Sequence, residues 1–286
     1  MTTTDPAGLR GALRGTRGLI LDADGVIFLK GAAIAGSLEA LAELDARAIP
    51  YRVVTNFSQA HRTTLAARLS SRHDRPIDAR RLITASSAAA AYTAVHFAGR
   101  PIVVVAAPDA AREFDGQQVV PLAEATPGSV AAVVVGDAGD ELSYRAMDAL
   151  FGLIRAGAAF LAMHRNPWWL TPKGPTLDAG AVVVGLEFAT GRRATILGKP
   201  SPEPFRQALA GIRADAGGAI PTSAVAMVGD DIDADVRAAQ RLGLRGVLVL
   251  SGKTTLADVT GQLPGRGRRA PDAIAASLAE VVAALD

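Results

Sequence analysis

Short apolar runs, rich in β-branched residues, alternate along the chain with longer stretches rich in Ala, Leu and Arg. The short runs predict β-strands at 18–21, 51–54, 102–106, 131–135, 158–162, 224–228 and 246–250. The longer stretches predict helices near 37–47, 60–70, 85–97, 141–155, 178–189, 202–213, 233–242 and 272–284. Strand–helix alternation is typical of a parallel sheet covered by helices, and continuously apolar strands fit burial on both faces. The pattern therefore predicts an α/β fold with a Rossmann-like, doubly wound parallel sheet.

Two breaks in this alternation predict the domain organisation. They are Gly99-Arg100-Pro101 and Gly191-Arg192-Arg193, and the piece between them has its own alternation of strands and helices. We therefore expect a smaller α/β domain at 99–190, inserted into a core domain formed by 1–98 and 191–286.

Composition excludes several classes of protein. With 49% hydrophobic and 20% charged residues, the chain of 286 residues is not intrinsically disordered. The absence of cysteine excludes disulfides, thiolate catalysis, zinc fingers and iron–sulfur clusters. The net charge is only +2 and the arginines are dispersed, so we expect no nucleic-acid partner. No apolar run approaches the roughly 18 residues of a membrane span, and no signal peptide is visible, so we expect a cytoplasmic protein without a membrane partner.

Candidate functional residues are sought directly after the predicted strands, because ligands of open parallel sheets bind beyond the carboxyl ends of the strands. The polar residues at these positions are Asp22, Asp24, Thr55, Asn56, Lys199, Asp230, Asp231 and Asp235. Carboxylates, a hydroxyl, an amide and a lysine suit Mg²⁺ together with a phosphate group. A carboxylate can also attack phosphorus to form an aspartyl-phosphate, provided that positive charges and amide donors neutralise the charge.

Each of these blocks also has a simpler explanation. Asp-x-Asp-Gly is an ordinary turn sequence, and the acids at 230–235 could only cap a helix. A calcium loop beginning at Asp231 is excluded, because Val236 stands at its sixth position, where Gly is required, and Leu242 at its twelfth, where Glu is required. Ser-Gly-Lys-Thr at 251–254 is similar to the end of a P-loop, but Val247 stands where the motif needs Gly. A strand-to-turn edge near the rim of the site is the better interpretation of that segment.

Four short segments, in this order, resemble the four motifs of the haloacid dehalogenase (HAD) superfamily of phosphohydrolases. They are Asp22–Gly25, Thr55-Asn56, Lys199, and Asp230 with Asp235. The resemblance extends from about residue 18 to about residue 253. The long interval between Asn56 and Lys199 resembles the C2-type cap of the NagD-like subclass, IIA. Within it, Asp137-Ala138-Gly139, Ser143-Tyr144 and 177–180 resemble the branch that includes phospholysine phosphohistidine inorganic pyrophosphate phosphatase.

The resemblance implies roles for the acids. Asp22 would be the nucleophile and a metal ligand. Asp24 would be the general acid and then the general base, with its main-chain carbonyl on the metal. Asp230 would bind Mg²⁺ directly, whereas Asp231 and Asp235 would orient the metal's ligands and waters. Haloacid dehalogenases proper lack an acid at the position of Asp24 and need no Mg²⁺, so its presence favours phosphate esters as substrates.

The resemblance also implies that Thr55, Asn56 and Lys199 hold the transferring phosphoryl group. The expected function is Mg²⁺-dependent hydrolysis of a small phosphorylated metabolite through an aspartyl-phosphate. A phosphotransferase or mutase on the same core is the alternative enzyme. A non-catalytic binding protein is a further alternative, although Asp22, Asp24 and Asp230 are all present.

One stretch of the expected cap is a candidate for substrate selection. The Pro-punctuated, loop-like segment 163–169 contains both tryptophans of the chain. The candidate residues are His164, Arg165, Trp168, Trp169 and Lys173. The same residues could instead form the core of the cap or the contact of a homodimer formed through the cap, since Trp is enriched at interfaces.

Overall fold

The computed structural model describes residues 6–171, 174–255, 258 and 270–286. The chain forms two compact units. The first comprises Met1–Thr55, Arg81–Ile83 and Phe205–Asp286, and the second comprises Asn56–Arg80 and Thr84–Pro204. The domain boundaries expected at 98/99 and 190/191 stay a prediction.

The strands predicted from the apolar runs are all present, with ends displaced by at most one residue. The described strands are β1 (Gly18–Asp22), β2 (Phe28–Leu29), β3 (Ala32–Ala33), β4 (Tyr51–Val54), β5 (Leu82–Ile83), β6 (Ile102–Val105), β7 (Ala132–Val135), β8 (Ala159–Ala162), β9 (Trp168–Thr171), β10 (Gly174–Leu177), β11 (Thr195–Ile196), β12 (Val225–Gly229), β13 (Arg245–Val249) and β14 (Ala273–Ala275). The described helices are α1 (Pro6–Leu13), α2 (Ser37–Ala46), α3 (Arg62–His73), α4 (Ala85–His96), α5 (Pro108–Ala111), α6 (Tyr144–Arg155), α7 (Gly180–Thr190), α8 (Pro202–Asp215), α9 (Ala238–Gln240) and α10 (Leu278–Ala283).

The first unit contains a six-stranded sheet in the order β14-β13-β12-β1-β4-β5. All neighbouring strands are parallel. Strands β1 and β12 are buried along their whole length, which explains why their sequences are apolar at consecutive positions rather than at alternate ones.

The second unit contains a four-stranded parallel sheet in the order β11-β8-β7-β6. Alternate residues of β7 face opposite cores: Val133 packs with Leu150 of α6, and Val134 packs with Ala89 of α4. Helices therefore cover both faces of this sheet. The α/β class and the doubly wound parallel sheets are confirmed.

Three sequence-based predictions of secondary structure need correction. The segment 272–284 is not one helix, because 273–275 pairs with β13 as strand β14 before α10 begins. The expected helix at 233–242 begins with a π-helical turn, Ile232–Arg237, before α9. The segment 163–169 is not wholly a loop, because Trp168 begins β9 and pairs with Leu177 in an antiparallel hairpin. No helix in the described part of the chain is long and apolar enough to cross a bilayer.

Candidate active site

Polar residues collect at the carboxyl edge of the six-stranded sheet. Asp22 is the last residue of β1, Asp230 follows β12 directly and Thr55 follows β4 directly. These three strands are parallel neighbours in the order β12-β1-β4. Their carboxyl ends therefore lie along one edge, as the position of the motifs after the strands predicts.

Three buried carboxylates form the centre of this edge. One oxygen from each of Asp22, Asp230 and Asp235 lies within 4.8 Å of the others, and the residues are only 7, 7 and 0% exposed. Carboxylates buried this close repel one another unless a cation or a proton offsets the charge. Hard carboxylate oxygens are the ligands that Mg²⁺ prefers. The side chains present therefore fit a divalent metal ion.

Asp235 reaches this centre through the π-helical turn. Its Oδ2 accepts a hydrogen bond from the main-chain N–H of Asp231 at 3.2 Å. Gly229 makes the close packing possible, because a Cβ at that position would overlap the side chain of Asp235. The family resemblance implies that Asp235 only orients the ligands of the metal. In the structure, its carboxylate lies with those of Asp22 and Asp230, close enough to bind the metal itself.

Asp231 supports the turn that carries Asp235. Its Oδ1 accepts hydrogen bonds from the main-chain N–H groups of Asp233 and Ala234, both at 3.0 Å, and its Oδ2 pairs with Nζ of Lys253. Burial raises the pKa of Asp231, but the bonds from Ala234 and Lys253 outweigh it and hold that pKa below its ordinary value. For the partner of this ion pair the direction is opposite: the hydrogen bond to Asp231 raises the pKa of Lys253. Asp231 therefore acts as a charged helix cap.

Asp230 is enclosed by two glycine loops. A Cβ on Gly25, whose φ is +78°, or on Gly252 would overlap Oδ2 of Asp230, so only glycine fits at these two positions. The two loops are joined by a hydrogen bond of 2.7 Å from Oγ of Ser251 to the carbonyl of Gly25.

The segment after β13 bonds to Asp230 directly. The main-chain N–H of Lys253 donates to Oδ2 of Asp230 at 2.6 Å, and Oγ1 of Thr254 donates to the Asp230 carbonyl at 2.5 Å. Sequence reasoning placed this segment near the rim of the site but missed its role in holding Asp230. The signal available was its position directly after β13, the neighbour of β12.

Asp22 at the end of β1, and Asp24 and Thr55 just after β1 and β4, complete the candidates at this edge. Asp22 Oδ1 accepts the N–H of Ala23 at 2.7 Å, which fixes one of its oxygens. Asp24 is exposed and lies outside the buried group of carboxylates. Thr55 is buried, and its N–H donates to the carbonyl of Ile83 at 3.0 Å. The catalytic and phosphate-binding roles of Asp22, Asp24 and Thr55 stay predictions.

Asn56 and Lys199 lie together in the second unit. The N–H of Lys199 donates to Oδ1 of Asn56 at 2.8 Å, and Nδ2 of Asn56 donates to the carbonyl of Lys199 at 3.0 Å. Lys199 is 6% exposed. The carboxamide of Asn56 therefore bonds to both the N–H and the carbonyl of Lys199, the predicted phosphate-binding lysine.

The substrate-selecting candidates differ in how much of each side chain is exposed. His164 is 1% exposed, and its Nε2 lies 2.8 Å from Oγ of Ser58 and 3.6 Å from Oδ1 of Asp178. Burial lowers its pKa, although the nearby carboxylates of Asp178 and Asp137 act in the opposite direction. His164 is thus part of the buried polar structure of the second unit.

Arg165 and Trp168 are more accessible. Nη2 of Arg165 pairs with Oε2 of Glu187 at 2.5 Å. Trp168 is 57% exposed on β9, and Trp169 follows it on the same strand. Lys173 lies outside the described residues. Selection of substrate by these five candidates stays a prediction.

A parallel α/β sheet with buried carboxylates beyond its neighbouring central strands is the arrangement expected of an enzyme that binds a metal ion and a phosphate group. The chain belongs to the haloacid dehalogenase-like hydrolase family. The family profile described as haloacid dehalogenase-like hydrolase matches residues 19–119, and the profile described as HAD-hydrolase-like matches residues 196–281.

Curated relatives agree over most of the chain. Human phospholysine phosphohistidine inorganic pyrophosphate phosphatase is 34% identical over 248 residues, which cover 84% of this chain and 85% of the relative. Haloacid dehalogenase-like hydrolase domain-containing protein 2 of Bos taurus is 33% identical, covering 86% of this chain and 88% of the relative. These similarities confirm the branch of the family that the sequence motifs resemble.

Solved structures give the same assignment. The p-nitrophenyl phosphatase from Archaeoglobus fulgidus superposes with a TM-score of 0.82 and 26% identity over 94% of this chain and 99% of that structure. NagD from E. coli K-12 superposes with a TM-score of 0.78 and 25% identity over 92% of this chain and 97% of that structure. The protein is a NagD-like HAD hydrolase and a phosphohydrolase.

Proposed function

We propose that this phosphatase is Mg²⁺-dependent and hydrolyses a small phosphorylated metabolite through an aspartyl-phosphate on Asp22. The observation that carries the proposal is the buried group of Asp22, Asp230 and Asp235 at the carboxyl edge of the sheet. Phosphatases among the similar proteins support the reaction class.

The metal requirement follows from the charges. Asp22, Asp230 and Asp235 would hold Mg²⁺, and the main-chain carbonyl of Asp24 would add a ligand as in the family. When bound, Mg²⁺ supplies the positive charge that lets an anionic carboxylate approach an anionic phosphate.

The side chains would divide the reaction into two displacements. In the first, an oxygen of Asp22 forms a bond to phosphorus while the bond to the leaving oxygen breaks, and Asp24 donates a proton to that oxygen. In the second, Asp24 accepts a proton from water, whose oxygen attacks phosphorus and releases phosphate from Asp22. Thr55 and Lys199 take the family's role of binding the phosphoryl oxygens.

Substrate choice would come from the second unit. Trp168 on the β9–β10 hairpin is exposed, and we expect its apolar ring to contact the part of the substrate that is not phosphate. The candidates His164 and Arg165 lie in the chain just before this hairpin. This assignment predicts that the leaving group is a small organic molecule, since phosphate as the leaving group would not need an apolar surface.

The direct test is phosphate release from a panel of phosphorylated metabolites, pyrophosphate and an aryl phosphate, with Mg²⁺ or with EDTA. We expect release from at least one substrate with Mg²⁺, loss of release with EDTA and recovery when Mg²⁺ is returned. Equal release in EDTA would contradict the metal requirement. Transfer of phosphate to an added sugar, with none to water, would replace the hydrolase by a phosphotransferase.

A further inference from the structure

The segment Asn56–His61, here called the edge strap, lies along the carboxyl edge of the four-stranded sheet. At least one polar contact joins it to the chain after each of the four strands. The contacts are Asn56 Nδ2 to Lys199 O (3.0 Å), Ser58 Oγ to His164 Nε2 (2.8 Å), Gln59 Nε2 to Asp137 Oδ2 (2.6 Å) and His61 N to Asp109 Oδ2 (3.0 Å). Their order along the strap, β11, β8, β7 and β6, is the order of the strands in the sheet.

The contact to Lys199 differs from the other three. Strand β11 has only two residues, Thr195–Ile196, and Lys199 lies beyond it and before α8. A ladder so short fixes the following loop weakly. The carboxamide of Asn56 bonds both the N–H and the carbonyl of Lys199, as a neighbouring strand would.

Gly198 allows the strap to pack directly against this loop. A Cβ at Gly198 would lie 2.6 Å from Oδ1 of Asn56 and 2.5 Å from the carbonyl of Met163. Gly198 also donates its N–H to the same Met163 carbonyl at 2.8 Å. Asn56 and the end of β8 thus hold the loop from two sides.

We propose that Asn56 is a positioning residue, which acts on phosphoryl transfer by fixing the main chain of Lys199 rather than by binding phosphate with its carboxamide. The proposal rests on the proposed function, in which the Lys199 ammonium binds the phosphoryl group. A small displacement of a group at the reacting centre lowers the rate strongly, on the order of 100-fold for 1 Å. Loss of the carboxamide would remove both of these bonds from the Lys199 main chain and displace its ammonium.

A double-mutant cycle tests this proposal. Asn56→Ala should lower kcat/KM by about 10- to 100-fold, mainly through kcat, and Lys199→Ala should lower it further. In the Lys199→Ala background, Asn56→Ala should have an effect of less than about twofold, because it acts through the lysine. If Asn56→Ala costs the same factor in both backgrounds, the carboxamide acts independently of Lys199 and the proposal is wrong.

Two further variants separate positioning from folding. Gln59→Ala removes another carboxamide from the same strap and should leave kcat/KM within about threefold of the wild type. Asn56→Asp keeps the acceptor for the Lys199 N–H but loses the donor, so we expect partial rescue relative to Asn56→Ala. A Gln59→Ala loss as large as that of Asn56→Ala would show that the strap matters only for folding.

Hydrogen exchange provides a readout that does not need turnover. The Lys199 amide should exchange slowly in the wild type and in Gln59→Ala, and faster in Asn56→Ala. Unchanged protection in Asn56→Ala would overturn the proposal. The proposed function fails separately if the wild type releases no phosphate, or if Asp22→Asn still releases it. In that case the exchange data show only whether Asn56 holds the Lys199 main chain.

Discussion

Asp22→Asn should reduce kcat for phosphate release by about 10⁴-fold or more, because an amide oxygen cannot replace the carboxylate as nucleophile. The substitution preserves the side-chain volume, and its amide oxygen can still accept the N–H of Ala23, which now donates to Oδ1 at 2.7 Å. We therefore expect the melting temperature to stay close to that of the wild type. The measurements are kcat at saturating Mg²⁺ and thermal unfolding.

Asp215→Asn is a matched control in the same unit. Asp215 pairs with Nη1 of Arg52 at 2.7 Å, near the amino end of β4 and so at the opposite end of that strand from Thr55. Its replacement also removes one carboxylate, but it should leave kcat unchanged within about twofold. Asp22→Asn activity within tenfold of the wild type would show that another group is the nucleophile.

Asp235→Asn should raise the Mg²⁺ concentration for half-maximal activity by about 10- to 100-fold. Asp235 is fully buried, and its carboxylate lies with those of Asp22 and Asp230. Removing one of three negative charges weakens the attraction for a divalent cation, while the amide oxygen can still accept the N–H of Asp231. Activity titrations with Mg²⁺ and direct binding by calorimetry measure the change.

Asp233→Asn is the control on the same turn. Asp233 pairs with Nη1 of Arg237 at 2.8 Å, and its side chain is 68% exposed. This variant should need the same Mg²⁺ concentration as the wild type within about twofold. If both variants shift the Mg²⁺ requirement equally, the effect is the general loss of negative charge, and Asp235 does not bind the metal.

The positions of Asp22, Thr55 and Asp230 were predictable, because each follows a short, mainly apolar run that predicts a buried strand. Parallel strands bring their carboxyl ends to one edge, so three short sequence signals locate the site. The same reasoning could not tell which of the acids at 230–235 reaches the centre. That depends on the π-helical turn and on the space left by Gly229, neither of which the composition of the segment encodes.

Long-range hydrogen bonds account for most of what could not be predicted. Asn56 and Lys199 are far apart in sequence, and no periodicity indicates that a carboxamide bonds a distant main chain. The strand β14 was missed for a related reason. Its Ala-rich sequence, 273–275, favours a helix locally, but pairing with β13 outweighs that preference.

The enclosure of Asp230 has a consequence for cation selectivity. Its Oδ2 is already bonded to the Lys253 amide and pressed between Gly25 and Gly252, so an approaching cation would meet one oxygen of this carboxylate and not both. Ca²⁺ commonly binds six to eight oxygens and often binds both oxygens of one carboxylate. The smaller Mg²⁺ usually binds one oxygen of each carboxylate and keeps several waters. We therefore expect the rate of phosphate release with Ca²⁺ to be far below the rate with Mg²⁺. Equal rates with the two ions would show that the loops of Gly25 and Gly252 move away from Asp230.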